Sequence, residues 1–225
     1  MCARFSLADP TRIPERYPQF KLRRMWPRRY NIAPTDDVLA VRGDGDGEIV
    51  PLRWGLVPPW AEDLSAGQKL INARAETLAE KPVFRAALQS RRCAIFADGF
   101  FEWTGPKTQR TPYRFTVEDG RVFAFAGLWE RWGPRDARVE SCTIVTCAPN
   151  ALLTAFHDRM PVILTDDALD PWLHGEVADA LAVTVPYDAA RMRSAEVTPA
   201  MNRTSFDDPR AIEPVTGPVS VRLFE

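Results

Sequence analysis

Short extended runs, cut repeatedly by proline, constrain the fold of this chain more than any other feature. Twenty prolines are spread over 225 residues. Each fixes its own φ and withholds a backbone donor, so many rigid turns and loops are expected. Between them lie segments rich in aromatic and β-branched residues and bounded by Gly, Pro or Asp. These predict strands at Ala3–Leu7, Val38–Val41, Val50–Leu56, Cys93–Ala97, Phe100–Trp103, Tyr113–Val117, Val122–Leu128, Cys142–Thr146 and Pro161–Leu164. Helices are expected to be few and short. Pro82 starts one running to about Ser90, with Val83, Ala87 and Leu88 on its apolar side. Pro149 starts another through Phe156, and Thr165-Asp166-Asp167 caps a third that ends before Gly175. Strands interrupted by helices, without regular βαβ alternation, predict a single α+β domain over residues 1–225, with the acidic segment 176–225 packed on it. The run Gly43-Asp44-Gly45-Asp46-Gly47 reads as a loop tip or hairpin.

Several function classes are disfavoured. No stretch approaches the ~18 apolar residues of a membrane span, and no charged start leads into an apolar export signal. Four cysteines, Cys2, Cys93, Cys142 and Cys147, are irregularly spaced, which suits reduced thiols and a cytoplasmic location. With two histidines, His157 and His174, and no C-x-x-C pair, no metal or other cofactor is expected. The net charge of -1 hides an asymmetry: residues 1–31 hold eight Lys/Arg against two Asp/Glu, and residues 166–225 hold five against eleven. Arginine accounts for 25 of the 29 basic residues, a skew that fits genome composition as well as a use for the side chain that grips phosphate bidentately. A basic first segment on a near-neutral chain is compatible with a local anion groove.

The second residue carries its own chemistry. Removal of Met1, which a small side chain at position 2 permits, makes Cys2 the amino terminus. One residue then holds an α-amine and a thiol two carbons apart, able to condense with an aldehyde through nitrogen and close through sulfur. The same pentapeptide also fits an incidental or buried cysteine. Elsewhere, Glu102 lies in DGFFEW, where aromatic neighbours should desolvate its carboxyl group and raise its pKa. A surface-facing Glu on an edge strand fits that motif too. His157 follows an expected helix whose C-terminus would favour imidazolium, though a capping or core histidine fits as well. Asn72 and Arg74 alternate in an extended stretch, so both can point into one cleft. WGLVPPW sets Trp54 and Trp60 around a rigid turn; exposed tryptophans beside arginines form platforms for single-stranded bases, whereas buried ones form core.

MCARF, NIAPT, RWGLVPPW, NARAET, RRCAIFADGFFEW, PYRF, FAGLWE, SCTIVT and HDRMPVIL occur in this order. The series closely resembles the SRAP family, the SOS-response-associated peptidase domain that shields abasic sites in single-stranded DNA. It extends from Cys2 to about Trp172, and VTPAMNR with the following DDP resembles the family's C-terminal segment. One departure is Ala3, where such proteins commonly carry Gly. The resemblance implies a single α+β domain with a mainly antiparallel, barrel-like mixed β core and a few short flanking helices. It further implies a covalent link from mature Cys2 to the abasic deoxyribose. Glu102 then moves protons during ring opening and imine formation, His157 manages protons on the imine or sugar, and Asn72 positions the amine or sugar. Arg4, Arg74 and Arg159 resemble phosphate clamps, and Trp54 and Trp60 resemble DNA-stacking residues. The expected partner is single-stranded DNA containing abasic sites, bound by a monomer. Two rival functions fit an N-terminal cysteine: an amidohydrolase in which the amine serves the thiol as base, and a noncatalytic single-strand binder.

Overall fold

The computed structural model describes residues 2–106, 108–118 and 120–215. Its strands in chain order are β1 (Phe5–Leu7), β2 (Arg29–Ile32), β3 (Asp37–Arg42), β4 (Ile49–Trp54), β5 (Asn72–Arg74), β6 (Arg92–Ala97) and β7 (Gly99–Thr104). There follow β8 (Thr111–Val117), β9 (Phe123–Trp132), β10 (Val139–Cys147), β11 (Met160–Pro161), β12 (Ile163–Leu164) and β13 (Met192–Glu196). The helices are α1 (Arg12–Arg16), α2 (Pro82–Ser90), α3 (Asp166–His174) and α4 (Val177–Ala182).

Five of these strands close on themselves. Antiparallel pairing joins β4 to β3, β3 to β6, β6 to β9 and β9 to β10. A parallel pairing, Ser141 opposite Arg53, returns β10 to β4 and completes a mixed barrel. Closure leaves no edge among these five strands. A second, antiparallel sheet runs in the order β13-β8-β7-β1-β2. The chain crosses from barrel to sheet at Asp98, the one residue between β6 and β7. The structure is thus the expected α+β domain with a barrel-like mixed core.

Aromatic residues join the two layers. Phe5 pairs with Phe100, and Phe100 with Phe115, so three rings form a row across β1, β7 and β8. Phe5 meets Trp54 at 5.1 Å and Phe125 at 5.7 Å between ring centroids, and Phe100 stacks on Phe115 at 5.3 Å. All five are fully buried. Each such burial stabilises by roughly 1.5–3 kcal/mol, with about 0.5–1.5 kcal/mol more for a well-placed ring pair. Phe101 points the other way, since side chains alternate along a strand. It packs with Val197, Met201 and Ala211, so the C-terminal segment covers the outer face of the second sheet.

Some elements differ from expectation. The strand expected at Pro161–Leu164 is broken at Val162, whose N–H donates to Val145 and whose carbonyl accepts from Ala126, both at 2.9 Å. In place of a helix from Pro149 there is a turn and a short 3-10 segment, Leu153–Ala155. Asn150 explains this: its Oδ1 accepts from Leu153 N–H at 3.0 Å while its Nδ2 donates to Tyr187 O at 2.7 Å, a capped turn in place of a helical start. In α2 the buried residues are Phe84, Ala87 and Leu88, with Val83 only partly covered. The acidic segment is tied down by Asn31, whose Nδ2 lies 2.9, 3.1 and 2.9 Å from the carbonyls of Met201, Arg203 and Phe206. Residues 216–225 of that segment, and Met1, lie outside the described residues.

Candidate functional site

Strand pairing puts Glu102 inside the protein. β7 lies between β1 and β8, so it is not an edge, and the period of two sets Glu102 on the same face as Phe100, toward the barrel. Glu102 is 4% exposed, and burial holds its carboxyl group above the ordinary carboxylate range. The N-terminal segment runs alongside: Phe101 N–H donates to Arg4 O at 3.0 Å, continuing the ladder toward Cys2. Cys2 is fully buried, with Sγ 3.6 Å from Arg4 O. Burial, reinforced by the nearby Glu102 charge, pushes its thiol well up. Asn72 reaches the same place from the barrel side. β5 runs parallel to β10, with Asn72 opposite Ile144, and Asn72 Nδ2 donates to Cys2 O at 2.8 Å. Among the described residues no donor reaches its buried Oδ1.

His157 approaches from β8. Phe156 packs edge-on against Tyr113 at 5.0 Å and Phe115 at 4.9 Å, and Tyr113 is the strand partner of Glu102. Only a single 3-10 turn precedes His157, so no helix C-terminus acts on it. Burial lowers its pKa, opposite to the expected preference for imidazolium. Its Nδ1 lies 3.0 Å from the Arg159 N–H and 2.6 Å from Asp158 Oδ1. The first contact needs a lone pair on Nδ1 and the second a proton. A neutral ring satisfies one of the two at a time, accepting from Arg159 N–H with its hydrogen on Nε2 or donating from Nδ1 to Asp158.

The expected DNA-contacting residues divide. Arg74 is exposed, and no hydrogen bond or ion pair among the described residues holds its guanidinium. Arg159 is gripped bidentately by Glu76 at 2.7 and 2.8 Å and donates to Thr146 O at 2.5 Å, with its side chain 13% exposed. Arg4 donates to Asn31 Oδ1 at 2.8 Å and to the carbonyls of Met201 and Asn202, tying the N-terminal segment to the C-terminal one. Trp54 corrects the expectation of a stacking residue. It is fully buried, donates through Nε1 to Ile71 O at 2.9 Å and packs on Phe5, so it presents no face to a base. Trp60, beyond Pro58-Pro59, is 64% exposed. Glu76 was legible in NARAET as an acid two residues beyond Arg74, yet its partner Arg159 is 83 positions away.

The arrangement thus brings a buried N-terminal-segment thiol, a buried carboxyl group, an amide that fixes the Cys2 carbonyl and a neutral imidazole to one corner between barrel and sheet. The family model for SOS response associated peptidase (SRAP) matches residues 1–204. Over 225 residues the chain is 42% identical to the abasic site processing protein YoqW of Bacillus subtilis (strain 168), covering 95% of this chain and 99% of that protein. It is 30% identical over 202 residues to the abasic site processing protein HMCES of Rattus norvegicus, covering 75% of this chain and 57% of that one. An X-ray crystal structure of a protein from Bacteroides thetaiotaomicron shares the fold, with a TM-score of 0.84 at 24% identity over 96% of this chain and 100% of that chain. On the match of the family model across most of its length, this chain belongs to the SRAP family.

Proposed function

We propose that this chain processes abasic sites in single-stranded DNA by forming a thiazolidine through Cys2. The observation that carries the reading is the Asn72 amide holding the Cys2 carbonyl at 2.8 Å while Cys2 is buried beside Glu102. The names of the relatives, abasic site processing proteins, support the substrate class. Removal of Met1 comes first, and it gives the peptidase in the family name a role. The freed α-amine, with an ordinary pKa of about 7.7–8.0, is partly neutral near pH 7. It adds to the open-chain aldehyde of the abasic sugar, and the carbinolamine loses water to give an imine. Cys2 sulfur then adds to the imine carbon, its proton passes to nitrogen, and a five-membered ring closes.

The site's electrostatics fit these steps. A thiol whose pKa is raised by burial is protonated at neutral pH, so ring closure needs a base within reach. Glu102 supplies it and returns the proton to the amine nitrogen or, earlier, to the departing water. Asn72 Oδ1, buried and without a donor among the described residues, is placed to accept from the α-amine or a sugar hydroxyl. Neutral His157 can accept a proton from a sugar hydroxyl as a base, or hydrogen-bond a sugar oxygen through its ring N–H. Arg74 and Trp60 are open to the strand's phosphates and bases.

The test is incubation with single-stranded DNA bearing an aldehydic abasic site, followed by denaturing electrophoresis and intact-mass measurement. A DNA-linked band is expected that needs loss of Met1 and disappears in Cys2→Ala. Glu102→Gln should slow its formation by roughly 10²–10⁴-fold with DNA affinity retained. A stable adduct in Cys2→Ala would overturn the reading.

A further inference from the structure

The segment from Lys21 to Arg29 takes no part in the site above. It holds five basic residues and no acidic one. The fold fixes it at both ends. Lys21 donates to Gly47 O at 2.9 Å and accepts from Ile49 N–H at 3.0 Å. Arg29 is ion-paired with Asp36 and Asp207. Between these anchors Trp26 turns inward, lining a cavity of about 250 Å³ with Leu7, Ile32 and Leu39. Met25 turns outward and is 84% exposed, more than any other large apolar side chain among the described residues. A methionine in that position contributes no burial to the fold.

Three arginines lie within three positions of it in the chain. Arg23 reaches Glu48 at 3.4 Å and Asp46 at 3.9 Å, and Arg28 reaches Asp9 at 3.9 Å, with both guanidinium side chains more than half exposed. Such loose surface pairs are weak and are readily exchanged for another anion. Arg24 has no ion pair among the described residues. Cations interleaved with an exposed apolar side chain on an ordered loop match a polymer that alternates phosphates with flat apolar faces.

We infer that Arg23, Arg24, Met25 and Arg28 form a second contact surface for the single-stranded DNA, engaging nucleotides that flank the abasic site. The inference rests on the DNA reading proposed above. Its geometry follows from the ladder between β1 and β2, in which Arg29 pairs with Leu7. Cys2 lies five residues beyond Leu7, up to roughly 17 Å away for an extended chain at 3.3 Å per residue. A separation of that order lies within the span of the roughly 4–16 nucleotides that single-strand binders of one domain cover.

The test compares wild-type protein with a variant carrying Arg23→Gln, Arg24→Gln and Arg28→Gln, and with Met25→Ser. All four side chains are on the surface, so folding is preserved, and circular dichroism checks this. Binding is titrated against salt for oligonucleotides of about five and about twenty nucleotides, a range set by the site sizes above, each with one non-reactive tetrahydrofuran abasic analogue. The triple variant should lose affinity for the long strand and up to ~2 in log–log salt slope, at ~0.7 for each phosphate contact. Binding to the short strand, and crosslinking of a short aldehydic strand, should be unchanged. Met25→Ser should weaken long-strand binding severalfold at unchanged slope. Equal long-strand affinity and slope in the wild type and triple variant overturn the inference, including when the variant has instead lost binding to anionic vesicles or to an acidic protein. Absence of crosslinking to the short strand in wild type would defeat the proposed chemistry, while a length-dependent loss in the variant would still support this surface.

Discussion

Replacing Asp98 should loosen the corner at which the chain leaves the barrel and β1 meets β8 across β7. Asp98 sits where the chain leaves the barrel for the second sheet and is 6% exposed. One carboxylate oxygen accepts from Ser6 Oγ at 2.6 Å and from Arg114 Nη2 at 2.8 Å, and the other accepts from Ala8 N–H at 2.5 Å. Asp98→Ala leaves Ala8 N–H without its acceptor, leaves Ser6 Oγ only Gly99 O at 3.3 Å and Arg114 Nη2 only the Asp98 carbonyl at 3.0 Å, and strips the Arg114 charge of its counter-ion. Ser6 is fully buried and the Arg114 side chain is 14% exposed, so water replaces the carboxylate poorly. Breaking a buried pair from one side typically costs about 3–5 kcal/mol, a large part of the roughly 5–15 kcal/mol that holds a domain together. For a chain of this length the midpoint of thermal unfolding should fall by roughly 10 °C. Asp98→Asn keeps the shape and one acceptor and should lose about half as much.

Urea denaturation of both variants, at low and high salt, is the assay. Because the pair is buried, the loss should be nearly independent of ionic strength, unlike that from exposed Arg16–Asp166, where salt already screens the charges. The same bonds fix β1, and Cys2 follows from β1. Crosslinking by the folded Asp98→Asn protein should therefore also be slowed. A loss below about 1 kcal/mol for Asp98→Ala would refute the idea that this corner depends on its carboxylate.

Trp54 and Trp60 should part company on mutation: Trp54→Ala should destabilise by roughly 3–5 kcal/mol, and Trp60→Ala should leave stability unchanged while weakening single-strand binding. Denaturation curves with DNA titrations check both, and a stable Trp54→Ala protein with reduced DNA binding would reverse the assignment. For His157, burial disfavours imidazolium, so its folded-state midpoint should lie below the ordinary ~6.5, leaving the ring neutral at pH 7. Falling pH should then give a ring protonated on both nitrogens, in which Nδ1–H faces Asp158 and cannot accept from Arg159 N–H. Asp158→Asn should lower the midpoint further, because the carboxylate favours the charged ring. An NMR titration with a midpoint at or above 6.5 would contradict this.

The barrel strands were legible in the sequence because each carries its own aromatic or β-branched signature, as in Arg92–Ala97 and Phe123–Trp132. Strands that depend on a partner were not. Met192–Glu196, of sequence MRSAE, has little intrinsic preference for extension and is a strand because five of its residues pair with β8. The candidate site divides in the same way. That Glu102 shares a face with Phe100 follows from alternation alone. That this face is buried requires β1 to lie beside β7, a pairing between Phe5 and Phe100 that no local pattern encodes. Trp54 and Trp60 occupy one motif and meet opposite fates, since Trp54 ends a barrel strand and the Pro58-Pro59 turn carries Trp60 outward. Arg159 reads as an open cation until Glu76 is brought to it. In each case the local signal fixes a side chain's direction, and barrel closure decides what it faces. The contact nearest the proposed chemistry, Asn72 with the Cys2 carbonyl, spans 70 positions and exists because β5 is held parallel to β10. A change that loosens that pairing should therefore impair the cysteine without touching it.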